Sequence, residues 1–592
     1  MTSEIFVHPA VILGLGALLL PLFKGQARSV FLLAVPILAF GAVLSMSQGT
    51  YGIFHYMQWE VVFGRVDRLS LVFGYIMTLM CIIGTLYGLH VKDNGQHITA
   101  WLYVAGSLGV IFCGDFLSLF LFWEVMAFSS VFLVWYRKTD SALASGFRYL
   151  LVHGFGGVVL LAGIVIHYQN TGDLSFVHLN VAEPNLAIYL IMIGFILNAA
   201  VPPLHAWLPD AYGEATVMGS VFMCAFTTKT AVYALARGFA GMEILIPLGV
   251  IMALYGVVYA VLENDCRRLL AYHVISQVGY MVAGVGIGTQ LAINGTVAHA
   301  FAHILYKGLL FMGCGAVLHM TGKSKFSDLG GLYKKMPWTF VFTLIGGLSI
   351  SAFPLFSGFV SKSIIVAASF DEHIYWAAFL LTLASAGTFL HTGLKVPYFI
   401  WFGKNNCSKE TWEKAKDPSW NMNAAMAIAS VLCIFIGIYT PYLYNMLPYG
   451  IDFQPYTMYH FMEVMQILLF TALGFFLLIK KLAPEPTISI DLDWFYRIGS
   501  RKFIGLANKP VASTDSVWSE VYRKIGLAGL MGLAKGSSQF DRDDIDRVVD
   551  GTAYGVLRIG KNINRTQTGY IQEYLGIAVF LALIVAAFVF FL

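Results

Sequence analysis

The sequence predicts an all-α polytopic membrane protein of about 16 transmembrane helices, and three observations predict it. Of 592 residues, 58% are hydrophobic and only 12% are charged, about half the charge a water-soluble domain carries. The apolar residues gather in runs of roughly 20, the length that crosses a bilayer with every backbone group satisfied inside its own helix. Basic residues cluster in alternate loops: Lys24 and Arg28, Lys92, Arg137 and Lys138, Arg267 and Arg268, Lys323 to Lys335, Lys404 to Lys416, and Lys480 with Lys481. The loops between them offer little beyond Arg65, Arg68 and Arg237. A single parity along the chain fits the positive-inside rule and expects both termini on the outer face.

Spans are expected at 8–23, 29–47, 68–90, 99–114, 115–136, 147–168, 185–205, 217–240, 243–262, 269–289, 296–320, 337–360, 373–402, 422–445, 460–480 and 570–592. The N-terminus has no basic n-region and no cleavage site, and reads as a first span. Residues 482–569 are too polar to cross. There Ile545, Val548, Val549, Thr552, Val556, Ile559 and Ile563 recur at three and four residues, which predicts an amphipathic helix over 540–564. Placed between two spans, it is expected to lie laterally on the membrane or on neighbouring subunits. The expected organisation is 1–98 as N-terminal helices, 99–241 and 242–402 as two repeats, 403–481 as further spans, 482–569 as the lateral segment and 570–592 as the last span.

Composition also excludes. A net charge of +4 is too small to suggest nucleic acid. The seven cysteines stand singly with no CxxC, so no zinc or iron–sulfur site is expected. No glycine-rich phosphate fingerprint stands at a strand–helix junction. No cofactor and no redox site are expected in this chain.

Ionisable residues inside apolar spans are costly and default to function. Glu124, Lys229 and Lys362 each interrupt such a span. His299, His303 and Lys307 share one helical face over roughly 12 Å, and histidine titrates near neutrality, as a proton relay needs. The competing readings are a buried Glu–Lys pair that only locks two helices, packing histidines, and a snorkelling Lys362. Two spans carry breaks, at Pro202-Pro203 and at Pro354. A proline removes a backbone donor. Breaks at matching places five spans apart predict two inverted five-helix repeats, spans 4–8 and 9–13, with broken helices 7 and 12.

At these residues the chain resembles the antiporter-like subunits shared by respiratory complex I, membrane-bound hydrogenases and Mrp-type multisubunit Na⁺/H⁺ antiporters. The resemblance rests on ENDCRRLLAYHVISQVGYMVAG (263–284), PLHAWLPDAYGEAT (203–216), HAFAHILYKGLLFMGCG (299–315), DLGGLYKKMPWTF (328–340) and FPLFSGFVSK (353–362), with FLFWE (120–124) and KTAVY (229–233). Together they span about residues 60–410. KTAVY resembles the Mrp D subunit, while TGYIQEY (568–574) after an amphipathic segment resembles the distal complex I subunit. By resemblance Glu124, Lys229, His299, His303, Lys307 and Lys362 translocate ions, with Asn198, His205 and His273 in support. Two departures stand out. The family's lysine in broken span 7 is Asn198 here, and its serine after the LLAY run is His273, which either carries protons or caps a helix. With Asn198 neutral, Glu124 needs another cation, and Lys229 is expected beside it, directly or through one or two waters, with Asn198 donating a hydrogen bond.

The resemblance implies a proton- or sodium/proton-translocating subunit of a multisubunit complex in the cell inner (plasma) membrane. Its implied partners are other integral subunits, including small antiporter subunits and paralogous antiporter-like subunits, a peripheral redox or other driving module, H⁺ or Na⁺, and lipid. Within an NADH:quinone or hydrogenase complex it would count as a translocase subunit. The alternatives are an ion-flow subunit serving a non-redox partner, such as an inorganic-carbon uptake module, or a largely structural subunit with impaired conduction. No carboxylate-rich cage for a hard cation is evident, which leans towards protons.

Overall fold

A run of apolar helices builds Met1–Leu492, the first of two units; the second is Asp493–Leu592. The computed structural model describes residues 6–486 and 490–591. Parts of the N-terminal reading, of the 482–569 segment and of the last expected span fall outside the described residues.

Pro9–Leu19 (α1) and Gly25–Leu44 (α2) lead into an antiparallel hairpin, Gly49–Tyr56 (β1) and Trp59–Val66 (β2). An all-α reading lacks this hairpin. Tyr51, Ile53, Phe54, Val61 and Val62 favour strand, and Met57 at φ 55° turns the chain. The hairpin docks on the turn after the fourth helix, where Gly114 N donates to Val62 O at 2.9 Å and Val62 N to Asp115 Oδ2 at 2.8 Å.

The next helices are Arg68–Tyr87 (α3), Asn94–Phe112 (α4), Phe116–Trp135 (α5), Asp140–Thr171 (α6), Leu186–Asn198 (α7) and Trp207–Glu214 (α8). Val217–Met223 (α9), Thr227–Gly238 (α10), Leu245–Leu262 (α11), Cys266–Ile287 (α12), Gln290–Thr321 (α13) and Pro337–Ile350 (α14) follow. Ser357–Asp371 (α15), Tyr375–Thr388 (α16), Lys409–Lys414 (α17), Trp420–Ile438 (α18), Thr440–Tyr444 (α19) and Met458–Leu477 (α20) complete the unit. Beyond α16 the same span runs on through π-helical turns at Phe389–Lys395 and Tyr398–Phe402. Among the described residues 11 helices are long and apolar enough to cross a membrane. The other expected spans fall on shorter, interrupted or less apolar helices.

Landmarks recur about 150 residues apart along the chain. Helices α6 and α13 are both 32 residues long, each starting after a capping threonine, Thr139 or Thr289. Each ends on a left-handed glycine, Gly172 at φ 70° or Gly322 at φ 71°, where a side chain would be strained. Asp115 caps α5 and bridges to Ser175, as Asp265 caps α12 and bridges to Lys325. Both expected breaks are present. Each has a left-handed alanine two residues before its proline, Ala200 at φ 61° and Ala352 at φ 59°.

A third break, between α9 and α10 at Cys224–Phe226, has no proline or glycine to announce it. Helix α13 sits at the centre, packed by α3, α9, α12, α14, α15 and α18, and is buried along most of its length.

In the second unit, residues 493–564 are helical without interruption, with π-helical turns at Ala507–Val511, Tyr522–Leu527 and Asp541–Ile545. The helix is far longer than the 540–564 expected from periodicity, roughly 100 Å at 1.5 Å per residue. Its Val548, Val549, Val556, Ile559 and Ile563 stripe is exposed. Ile571–Phe591 is the last apolar helix.

Candidate functional site

Helix α13 brings His299, His303 and Lys307 into the core, all fully buried. One helical face carries all three, and the rings of His299 and His303 lie 6.1 Å apart. His299 Nδ1 meets Ser361 Oγ at 3.4 Å. Both nitrogens of His303, Nε2 of His299, Nζ of Lys307 and the hydroxyl of Tyr306 are buried without a hydrogen-bond partner. Buried polar groups normally find partners, and those without protein partners in a polar pocket are served by water.

Two lysines flank this row, each just past a helix break. Lys229 follows the α9–α10 break. Its Nζ donates to Cys224 O at 2.6 Å and to Thr228 Oγ1 at 3.0 Å. An interrupted helix frees carbonyls, and this ammonium takes one. Lys362 follows the 351–356 break, with Nζ donating to Ser385 Oγ at 2.7 Å over the face of Tyr280. Lys362 is 3% exposed and five residues inside α15, so it does not snorkel from a helix end. It forms part of a cavity of about 480 Å³ that also meets Ser351, Ser385, Asp371, His460 and Glu463.

The direct Glu124–Lys229 pair is not formed. Among the described residues Glu124 forms no ion pair, and Lys229 is committed elsewhere. The carboxylate is half-buried, with Oε1 unpartnered against Gly157 of α6. Asn198 ends α7 fully buried, and both of its side-chain polar atoms lack a partner, so it donates to neither Glu124 nor Lys229. The physical reason is the unannounced α9–α10 break, whose free carbonyl holds the lysine.

His273 does not cap a helix, because Asp265 does. It sits fully buried in α12, with Nδ1 at 2.8 Å from Thr392 Oγ1 and Nε2 at 3.2 Å from Thr388 Oγ1. His391, absent from the expected set, packs edge-on to it at 4.5 Å. Lys395, also absent, donates from Nζ to Val261 O at 2.6 Å and Glu263 O at 2.9 Å. Both residues lie four apart in an apolar span, a spacing open to view in the sequence.

His205, in the turn after the first break, meets Asp491 Oδ1 at 3.2 Å. The hydroxyls of Tyr255 and Tyr272 also donate to Asp491. Burial opposes the charged form of Asp491. The bond to His205, its charge and the tyrosine hydroxyls outweigh burial and hold the carboxyl below the usual carboxylate range.

This fold and this set of buried groups have counterparts among known proteins. The family model for the transmembrane region of NADH:quinone oxidoreductase/Mrp antiporter proteins matches residues 113–388. The D subunit of the Na⁺/H⁺ antiporter of Alkalihalophilus pseudofirmus is 31% identical over 380 residues, 60% of this chain and 76% of the relative. The chain belongs to the NADH:quinone oxidoreductase/Mrp antiporter family. The fold of this family member also matches a chain of the Mrp complex from Dietzia sp. DQ12-45-1b, with a TM-score of 0.67 at 22% identity, covering 79% of this chain and 100% of that one. A chain of the membrane-bound sulfane sulfur reductase, an archaeal respiratory membrane complex, matches with a TM-score of 0.65 at 25% identity, over 74% and 95%. Every site residue named above from Glu124 to Lys362 lies inside the matched region.

Proposed function

We propose that this chain carries protons across the plasma membrane as one antiporter-like subunit of a multisubunit complex. The supporting observation is the row on α13: two histidines and a lysine, fully buried, with five polar positions unserved by protein among them and Tyr306. A purely structural core does not keep such a row, since each unpaired group costs stability. Water along the row would let protons step between His299, His303 and Lys307, with Lys229 and Lys362 as the switchable charges at its two ends. Moving a compensating charge towards or away from a buried lysine makes it take or release a proton. Sodium is the finer alternative; the named groups are nitrogen donors, a poor shell for that ion.

The two sets of matched landmarks support a reading as inverted five-helix repeats at 99–241 and 242–402, because five crossings reverse the topology. The exposed Ile/Val stripe of the 493–564 helix supports a lateral brace on neighbouring integral subunits, small antiporter subunits or paralogues of this chain. In that arrangement a peripheral module supplies the driving reaction.

The test is proton flux in membrane vesicles carrying the whole complex with His303→Gln or Lys307→Met. Flux is expected to fall about tenfold or more with normal complex yield, since each tenfold corresponds to only about 1.4 kcal/mol on the barrier. Flux close to the unsubstituted level in both variants rejects the reading.

A further inference from the structure

The second repeat holds a line of polar side chains that leads away from the central row towards one end of the helices. It begins at His273, fully buried on α12, the helix packed along α13. His273 Nδ1 shares a hydrogen bond with Thr392 Oγ1 at 2.8 Å, and Thr392 Oγ1 meets His391 Nδ1 at 2.7 Å. The two imidazoles are thus joined through one hydroxyl. Gln277 Nε2 donates to Thr388 Oγ1 at 3.2 Å on the same side. Gln277 Oε1 and His391 Nε2 remain buried without a protein partner along the line. Lys395 stands four residues beyond His391, and its Nζ reaches the carbonyls of Val261 and Glu263. Glu263 pairs through Oε2 with the partly exposed Arg268 at 3.2 Å. This is the end at which Asp265 bridges to Lys325, among the basic loops that the positive-inside rule places inside.

The helix that bears this line is unusual at the same place. Residues 389–395 form π-helical turns, a widening that recurs at functional sites. It sets His391 and Thr392 against His273 of α12 and Lys395 against the C-terminal end of α11.

The first repeat has buried hydroxyl pairs beside Lys229, Tyr103 with Thr227 and Ser107 with Thr230, but among the described residues no two imidazoles there are joined through a hydroxyl. His153 there is walled by Tyr149 and Trp207, with rings at 4.0 and 4.5 Å, and its Nδ1 is tied to its own helix at Tyr149 O. Asn198 cannot titrate, and Oε1 of Glu124 has no hydrogen-bond partner among the described residues.

We infer that ions enter the central row from the inner face through the second repeat, along Lys395, His391, Thr392 and His273. This rests on the proposed function and assigns its inner entrance. Lys395 gathers and gates at the inner end, and the His391–Thr392–His273 triad hands protons to Lys307. A proton leaves one imidazole nitrogen as another arrives on the far nitrogen, so each step conserves charge.

The experiment uses the intact complex in oriented vesicles. Thr392→Cys is made with Cys407→Ser, since Cys407 is the one native cysteine that is not buried among the described residues. A small membrane-impermeant cationic thiol reagent is added from either side. Ala253→Cys, in a fully buried apolar cluster with Tyr280 and Leu381, is the control. The expected result is modification at 392 from the inner side at least about tenfold faster than at 253, and about a tenfold fall in flux for His273→Ser with His391→Gln. Modification at 392 only from the outer side, or no faster than at 253, overturns the inference. So does full flux in the double histidine variant. Loss of yield in that variant leaves the labelling result to decide. Full flux in His303→Gln would instead overturn the functional reading, wherever position 392 is reached.

Discussion

Helices α6 and α13 have the same length, the same capping threonine and the same terminal glycine, yet different chemistry. Counting from their first residues, Tyr149, His153 and Gly157 stand where His299, His303 and Lys307 stand. The second helix is almost wholly buried and lined with titratable groups. The first has one exposed face and two histidines, His153 between Tyr149 and Trp207 and His167 near its C-terminal end. Over Gly157, where the other helix has its lysine, lies the carboxylate of Glu124. Two helices alike in length and capping therefore need not carry alike chemistry. The breaks make the same point: Lys229 is held by a backbone carbonyl, whereas Lys362 sits beside an open cavity.

That comparison breaks first on the two lysines. Lys229→Ala should reduce flux about tenfold or more and also lower complex yield, because it strips the donor from a buried carbonyl, a loss of about 1–3 kcal/mol. Lys362→Ala should reduce flux as much with normal yield, since its one bond goes to an adaptable serine. Equal yields for the two variants would remove the asymmetry. A smaller effect is expected at Gly157→Ala. The new methyl would come 2.0 Å from Glu124 Oε1, forcing the carboxylate aside, and flux should fall several-fold without loss of fold, as only the far end of a side chain has to move. Unchanged flux would show that Glu124 does not serve transport from its present position. Asn198→Lys should keep flux within about threefold, since the family places a lysine there and Glu124 lacks a cation; a tenfold loss would mean that the neutral side chain is required.

Acid tests the anchor at Asp491. Its folded carboxyl is held below the ordinary value of 3.8, so its stabilising effect is full above that pH and fades only as pH drops through the depressed range. Proteolysis in the 478–492 segment should thus be slow at neutral pH, and fast at neutral pH in Asp491→Asn. Equal rates in both proteins would deny the anchor. The smallest effect is expected from Ala200→Gly or Ala352→Gly, where relief of a left-handed alanine, about 1–2 kcal/mol, is largely offset by glycine's chain entropy of about 0.5–1 kcal/mol. A slightly longer thermal half-life of the solubilised complex would register it.

Much of this was legible in residue order. Apolar runs of bilayer length located the helices, and Pro202 and Pro354 marked two breaks, because a missing backbone donor is written in the sequence. The row on α13 followed from spacing alone. The α9–α10 break did not, since the residues from Cys224 to Phe226 carry no breaker and tertiary packing imposes it; with it went the true partner of Lys229. The β-hairpin was hidden by its shortness beside long helical runs. His391 and Lys395 were visible as polar residues in an apolar span, but only folding sets them against His273 and Glu263. The long helix of the second unit was underestimated because π-helical turns at 507–511, 522–527 and 541–545 shift the phase of its apolar face, which disrupts a fixed 3.6-residue period.

That long helix also sets a clock on biogenesis. A ribosome adding about 5–20 residues per second needs several seconds to pass from Leu477 to Ile571. During that interval the preceding apolar helices are already outside the exit tunnel, while the segment being made is too polar to enter the bilayer. The last helix must therefore engage the insertion machinery as a separate, late event, after the rest of the chain has had time to pack. An arrest placed near residue 560 should hold a chain whose buried histidine row is already assembled and protected, with the last apolar helix not yet made.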